Sequence, residues 1–185
     1  MPEPLAYLIT FTCYGRWLHG DRRGSVDDDH NGVGESLLPP NAERRRSVQT
    51  TMTHPAYQLD SARRTVVLQA IRNVCHHRNW RLWAAHVRAQ HAHIVVTAVE
   101  VAPEDVMNDF KAYASRALNA GGFDRPSCKR WTRHGSTRYI NDERYLHSAI
   151  NYVLFEQGPA QAVYDGRDDT IHDPIHEPRS YEPRP

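Results

Sequence analysis

The spacing of apolar positions switches back and forth between strand-like alternation and helix-like stripes. Residues 6–13 (Ala-Tyr-Leu-Ile-Thr-Phe-Thr-Cys) place Tyr7, Ile9, Phe11 and Cys13 on one face, and threonines mark the other, so a first strand is expected. Asp60 is an N-cap candidate. The helix it opens carries Val67, Ala70, Ile71, Val74 and Cys75 on one stripe and ends near Asn79. Residues 80–88 read as a second strand, Ala89-Gln90 as a short turn, and residues 91–97 as a third strand, which makes a hairpin. Pro103 suits the first turn of a second helix running to about Ala120, with Val106, Phe110, Tyr113 or Ala114, and Ala117 apolar, and Gly121-Gly122 ending it. Residues 136–140 predict a short fourth strand. A last helix begins after Asn141 or Asp142, carries Leu146, Ala149, Ile150 and Val153, and stops by Gly158-Pro159.

Strand, helix, strand, strand, helix, strand is the order of an α+β, ferredoxin-like split βαβ fold. It has an antiparallel sheet with helices on one face, here with an appended C-terminal helix. Between residues 14 and 59 no period is sustained. Gly15, Gly20, Gly24, Gly32 and Gly34 punctuate the stretch and Pro39-Pro40 stops any helix, so a long loop is expected, with Asp27-Asp28-Asp29 and Arg44-Arg45-Arg46 as solvated charge runs. Residues 159–185 hold five prolines and many charges and read as a poorly ordered tail. The expectation is one domain over residues 1–158 followed by that tail.

Composition narrows the classes. Mean hydropathy is −0.71 and 39% of residues are hydrophobic. No apolar run approaches the ~20 residues that span a membrane. Met1-Pro2-Glu3-Pro4 has no signal-peptide character, and three scattered cysteines fit neither a disulfide framework nor a cysteine-rich zinc site. A cytoplasmic protein is expected. With a formal net charge of +1, any nucleic-acid surface must be local.

The third strand carries the chemistry. His91, His93, Val95 and Thr97 share one face, while Ala92, Ile94, Val96 and Ala98 form an apolar face that wants a core. The two imidazoles stand about 6–7 Å apart along the strand. They can converge on one divalent ion if a third ligand comes from elsewhere. Among twelve histidines, one His-x-His is weak evidence alone. In the last helix Tyr152 and Glu156 are four residues apart and share a face. If that helix lies across the histidine pair, a phenol, an ion and an oxygen ligand meet. On an ideal helix Glu156 lies about 40° from Tyr152 and Gln157 about 140° away, which favours Glu156 as third ligand and makes Gln157 secondary. A phenol has a pKa near 10 and needs activation before it attacks. Attack on a phosphodiester would give a phosphotyrosine, which conserves the ester bond and lets a free hydroxyl reseal the strand. The plainer role for Tyr152 is packing beside Leu146 and Ile150.

Between Lys111 and Arg138 there are seven Lys/Arg and one acid, Asp124. Lys111, Arg116, Lys129, Arg130, Arg133 and Arg138 are candidate phosphate contacts, and Trp131 is a candidate stacking platform. A solvated loop would look the same.

His91-Ala92-His93, together with Tyr152 and Glu156 or Gln157, resembles the motifs of the single-tyrosine HUH transposases, a group that includes the REP-associated tyrosine transposases. Residues 7–12, 14–21 and 131–139 also look familial, and the resemblance spans roughly residues 5–158. It implies His91 and His93 as metal ligands with Glu156 or Gln157, Mg²⁺ or Mn²⁺ as the ion, and Tyr152 as nucleophile. It further implies single-stranded DNA as substrate, often beside a hairpin, and a 5′-phosphotyrosine with a free 3′-hydroxyl. Both a monomer and a homodimer are open. An HUH replication initiator or relaxase shares the histidine pair, but such a protein would be expected to carry a helicase domain that these 185 residues do not suggest. A histidine-triad hydrolase needs a third alternating histidine where position 95 is Val. A domesticated protein that binds hairpins without cutting would keep the fold.

Overall fold

The computed structural model describes residues 3–16, 39 and 41–167. The elements are β1 (Ala6–Thr12), α1 (Ala42–Thr50), α2 (Ser61–Arg78), β2 (Arg81–Val87), β3 (His91–Thr97), α3 (Pro103–Ala120), β4 (Ser136–Ile140), α4 (Glu143–Phe155) and β5 (Ala162–Asp165). The strands form one antiparallel sheet in the order β4-β1-β3-β2-β5. Its first four strands have the ferredoxin-like arrangement, so the α+β expectation holds.

Local signals start and stop the helices. Asp60 accepts from the Arg63 amide at the head of α2, and Asn79 closes it in the left-handed conformation (φ 57°) that Asn tolerates. Pro103 opens α3 and Asp142 caps α4 by accepting from the Tyr145 amide. The predicted α2 stripe, Val67 to Cys75, is buried against the sheet with Val106, Phe110, Ala114 and Leu118 of α3. Tyr7, Ile9, Phe11, Ala92, Ile94 and Val96 meet them from the strands. Each fully buried large side chain here contributes about 1.5–3 kcal/mol.

Three expectations need correction. Helices cover both faces of the sheet, not one: on the histidine side α4 packs Leu146, Ala149, Ile150, Val153 and Leu154 onto Ala6, Leu8, Ala84, Val95 and Ile140. The stretch read as a continuous loop contains α1, a polar, exposed helix capped by the Asn41 side chain. No apolar stripe announces it. Arg44-Arg45-Arg46 lies on α1, whereas Asp27-Asp28-Asp29 lies outside the described residues. The fold also continues past residue 158, because β5 pairs with Ala84–Val87 of β2. Residues 168–185 of the expected tail are outside the described residues. Cys13, Cys75 and Cys128 are free. Among the described residues no helix is long and apolar enough to cross a membrane.

Candidate active site

Strand register assembles the site. Thr10 of β1 and His86 of β2 both pair with His93 of β3, and Ser136 of β4 pairs with Thr10. Residues directly opposite in an antiparallel ladder share a face, so Ser136, Thr10, His93 and His86 form a row across the sheet. His91 lies one step along, opposite Thr12. The His91 and His93 rings are 4.8 Å apart between centroids.

His93 is nearly buried, and its Nδ1 hydrogen-bonds the Thr10 hydroxyl at 2.7 Å. Burial, then the charges of His91, His86 and Arg88, push its pKa down to about 3. The ring is therefore neutral at working pH and keeps a lone pair. A fixed second ring nitrogen is a common feature of metal-binding histidines.

Burying the apolar side of α4 leaves Tyr152 on its flank. The Tyr152 ring is 5.7 Å from that of His93, at 75°, and is 38% exposed. The helix then ends. Phe155 is its last residue, Glu156 is the C-cap (φ −99°, ψ 7°), and Gly158 takes φ 76°, where glycine has no Cβ to clash. The uniform angular step behind the preference for Glu156 stops before residue 157. The Gln157 side chain lies close enough to His93 to influence its titration, and its Nε2 donates to the Tyr152 carbonyl at 3.2 Å. Gln157 is therefore the half-buried residue on the His93 side, whereas the expected first ligand, Glu156, is exposed. Among the described residues no group of three His, Cys, Asp or Glu side chains is gathered to hold an ion. The residues here that could hold a divalent ion are His91, His93 and the Gln157 carboxamide.

The basic stretch divides. Lys111 is buried, and its ammonium donates to the carbonyls of Thr132, Arg133 and His134 at 3.0, 3.1 and 3.2 Å. Burial lowers its pKa to about 8, and three carbonyl acceptors favour the charged form. Arg130 is buried, donating to Asp124 and Asn119. Trp131 donates through Nε1 to the Lys111 carbonyl and the Ser115 hydroxyl, and its ring packs edge-on to Phe11. These three residues face the interior, which corrects their expected place on a DNA surface. Charge counting misses this because it is blind to the carbonyls and carboxylates that long-range folding brings up. Arg116 lies over Tyr113, Lys129 over Tyr14, and both are exposed, as are Arg133 and Arg138. Arg138 pairs with Leu8 and so shares the histidine face.

Thr10 and His86 join the site without having been singled out. Both lie in strands that are readable from sequence, but only the pairing register brings them to His93.

The family model described as Transposase IS200 like matches residues 50–153. No curated protein matches the chain. Among solved structures, a REP-associated tyrosine transposase bound to a REP hairpin is similar at 12% identity and a TM-score of 0.45, over 84% of this chain and 67% of that one. A candidate transposase from Deinococcus radiodurans is similar at 13% identity and a TM-score of 0.43, over 83% and 91%. The family match takes in both strand histidines and Tyr152 over more than half of the sequence, and the chain belongs to the IS200-like transposase family.

Proposed function

We propose that this transposase nicks and rejoins single-stranded DNA beside a hairpin, with Tyr152 as nucleophile and Mg²⁺ or Mn²⁺ held by His91, His93 and Gln157. The observation that carries the reading is the Tyr152 ring 5.7 Å from that of His93, on the helix that ends beside Gln157. The phenol oxygen of Tyr152 attacks phosphorus as its proton departs. A bond from phosphorus to that oxygen forms, the bond to the 3′-oxygen breaks, and the released strand ends in a 3′-hydroxyl. Attack by another 3′-hydroxyl on the phosphotyrosine reverses the step and joins strands. When bound, a divalent ion polarises a phosphoryl oxygen and shields developing charge. Thr10 holds the His93 ring in one orientation, and the partial exposure of Tyr152 lets a DNA strand reach it. The hairpin rests on the motif resemblance of His91-Ala92-His93 and Tyr152.

The reading is tested with labelled single-stranded oligonucleotides, with and without a hairpin, and Mn²⁺. A denaturant-resistant protein–DNA adduct that chelator abolishes supports it; tight binding with no adduct supports a domesticated binding protein.

The ligand assignment predicts that Gln157→Ala weakens Mn²⁺ binding about tenfold or more, in the range of lost support at metal sites, whereas Glu156→Ala leaves it close to the parent. Calorimetric Mn²⁺ titration of the two variants decides. Loss in Glu156→Ala alone would put the carboxylate in the site.

Arg116, Arg125, Lys129, Arg133 and Arg138 are exposed cations of the basic stretch. If about four meet phosphates, log affinity for single-stranded DNA falls with log salt at a slope near −3. A salt series by fluorescence anisotropy checks this, and Arg138→Ala should shallow the slope by about 0.7. A flat series removes the stretch from the interface.

A further inference from the structure

His86 is fully buried, and none of the chemistry above uses it. It stands opposite His93 on the neighbouring strand, beneath the end of α4. Its Nδ1 is 3.1 Å from the Val153 carbonyl. Its Nε2 is 3.3 Å from the Gln161 amide nitrogen. A carbonyl can only accept and a backbone amide can only donate. Nδ1 must therefore carry the proton and Nε2 must be bare. Both bonds exist together only in the neutral Nδ1–H tautomer, and burial favours the neutral ring.

The two partners are not incidental. The last four carbonyls of a helix lack intrahelical donors. Val153 is among them in α4, and it follows Tyr152 directly. Gln161 opens the approach to β5, four residues beyond Gln157. One imidazole thus ties down both ends of segment 153–161, which begins directly after Tyr152 and holds Gln157. A second, exposed tie runs from Arg88 to the Pro159 carbonyl at 3.2 Å.

We propose that His86 is a positioning residue: its Nδ1–H anchors the end of α4 and its Nε2 anchors residue 161, and together they set Tyr152 and Gln157 relative to His93. The inference rests on the proposed roles of Tyr152 and Gln157 for its catalytic consequence, but the anchoring stands on geometry alone.

The test compares His86→Phe, which fills the space without hydrogen bonds, with His86→Asn, whose side-chain amide stands close to the place of Nδ1. At saturating DNA and Mn²⁺, adduct formation by the Phe variant should slow by about tenfold or more, as small misplacements of reacting groups do, with DNA affinity unchanged. The Asn variant should recover most of that rate. A purely structural role would lower both variants alike and weaken DNA binding with them. Independently of any chemistry, hydrogen exchange at the Gln161 amide should speed up about tenfold or more in the Phe variant through loss of the local tie. Nitrogen-15 NMR of the parent protein, which needs no variant to fold, should show His86 as the Nδ1–H tautomer. An Nε2–H tautomer, unchanged Gln161 exchange, or a parent-like rate in the Phe variant overturns the proposal. If Tyr152→Phe still forms adducts, the nucleophile assignment fails instead, and the exchange and tautomer results decide the anchoring on their own.

Discussion

Tyr152→Phe is expected to abolish the covalent DNA adduct while DNA affinity stays near the parent value. Only the phenol oxygen is lost; the ring that lies 5.7 Å from His93 remains. Removing a nucleophile outright costs on the order of 10³-fold or more in rate, so the adduct should fall below detection on gels. The apolar stripe of α4 does not include Tyr152, so folding should be undisturbed. An adduct formed by the Phe variant would mean another tyrosine attacks. Tyr145 would be the first to examine, because it is exposed on the same helix, seven residues or about 10 Å earlier.

The largest stability effect is expected at Asp124. Its carboxylate accepts from the Tyr57 hydroxyl at 2.5 Å, from Arg130 Nε at 3.1 Å and from Arg63 at 3.1 Å. The Arg130 side chain is 2% exposed, so a neutral residue at 124 leaves a buried cation short of its counter-charge. Breaking one partner of a buried pair costs about 3–5 kcal/mol. Asp124→Asn should therefore lower Tm by roughly 10 °C in a chain of this size. The pH dependence has a definite sign. Burial pushes the Asp124 pKa up, but the Tyr57 hydroxyl and the guanidinium groups of Arg130 and Arg63 outweigh it, so the carboxyl titrates below its usual range. The unfolded chain then binds this proton first as pH falls. The contribution of Asp124 is complete above the unfolded pKa of about 3.9 and is lost as pH drops through the lower folded value. Urea unfolding from pH 7 to pH 2 should show the parent losing stability below about pH 4 and the Asn variant losing less over that window. A variant within about 1 kcal/mol of the parent at pH 7, the range of ordinary substitutions, would show that the network contributes little.

Near-neighbour spacing determined much of this protein. The alternation at residues 6–13 sets which side of β1 enters the core, and Ile9 and Phe11 are fully buried as that alternation requires. Asp60, Pro103 and Asp142 set the starts of α2, α3 and α4, because a cap acts on amides two or three residues away. The same short range puts His91 and His93 on one face. Tertiary structure decided everything that depends on a partner far along the chain. Helix α1 has no apolar face to announce it, and β5 is four half-buried residues that become a strand by pairing with the edge of β2. Lys111, Arg130 and Trp131 read as cations and an aromatic for a surface, yet carbonyls at 132–134, Asp124 and Phe11 draw them inward. Gln157 reaches His93 because the helix ends two residues before it, and Thr10 and His86 reach the site through strand register. Periodicity specifies the face on which a side chain stands; which group it meets there depends on pairing and packing between segments distant in sequence, and no local pattern encodes that.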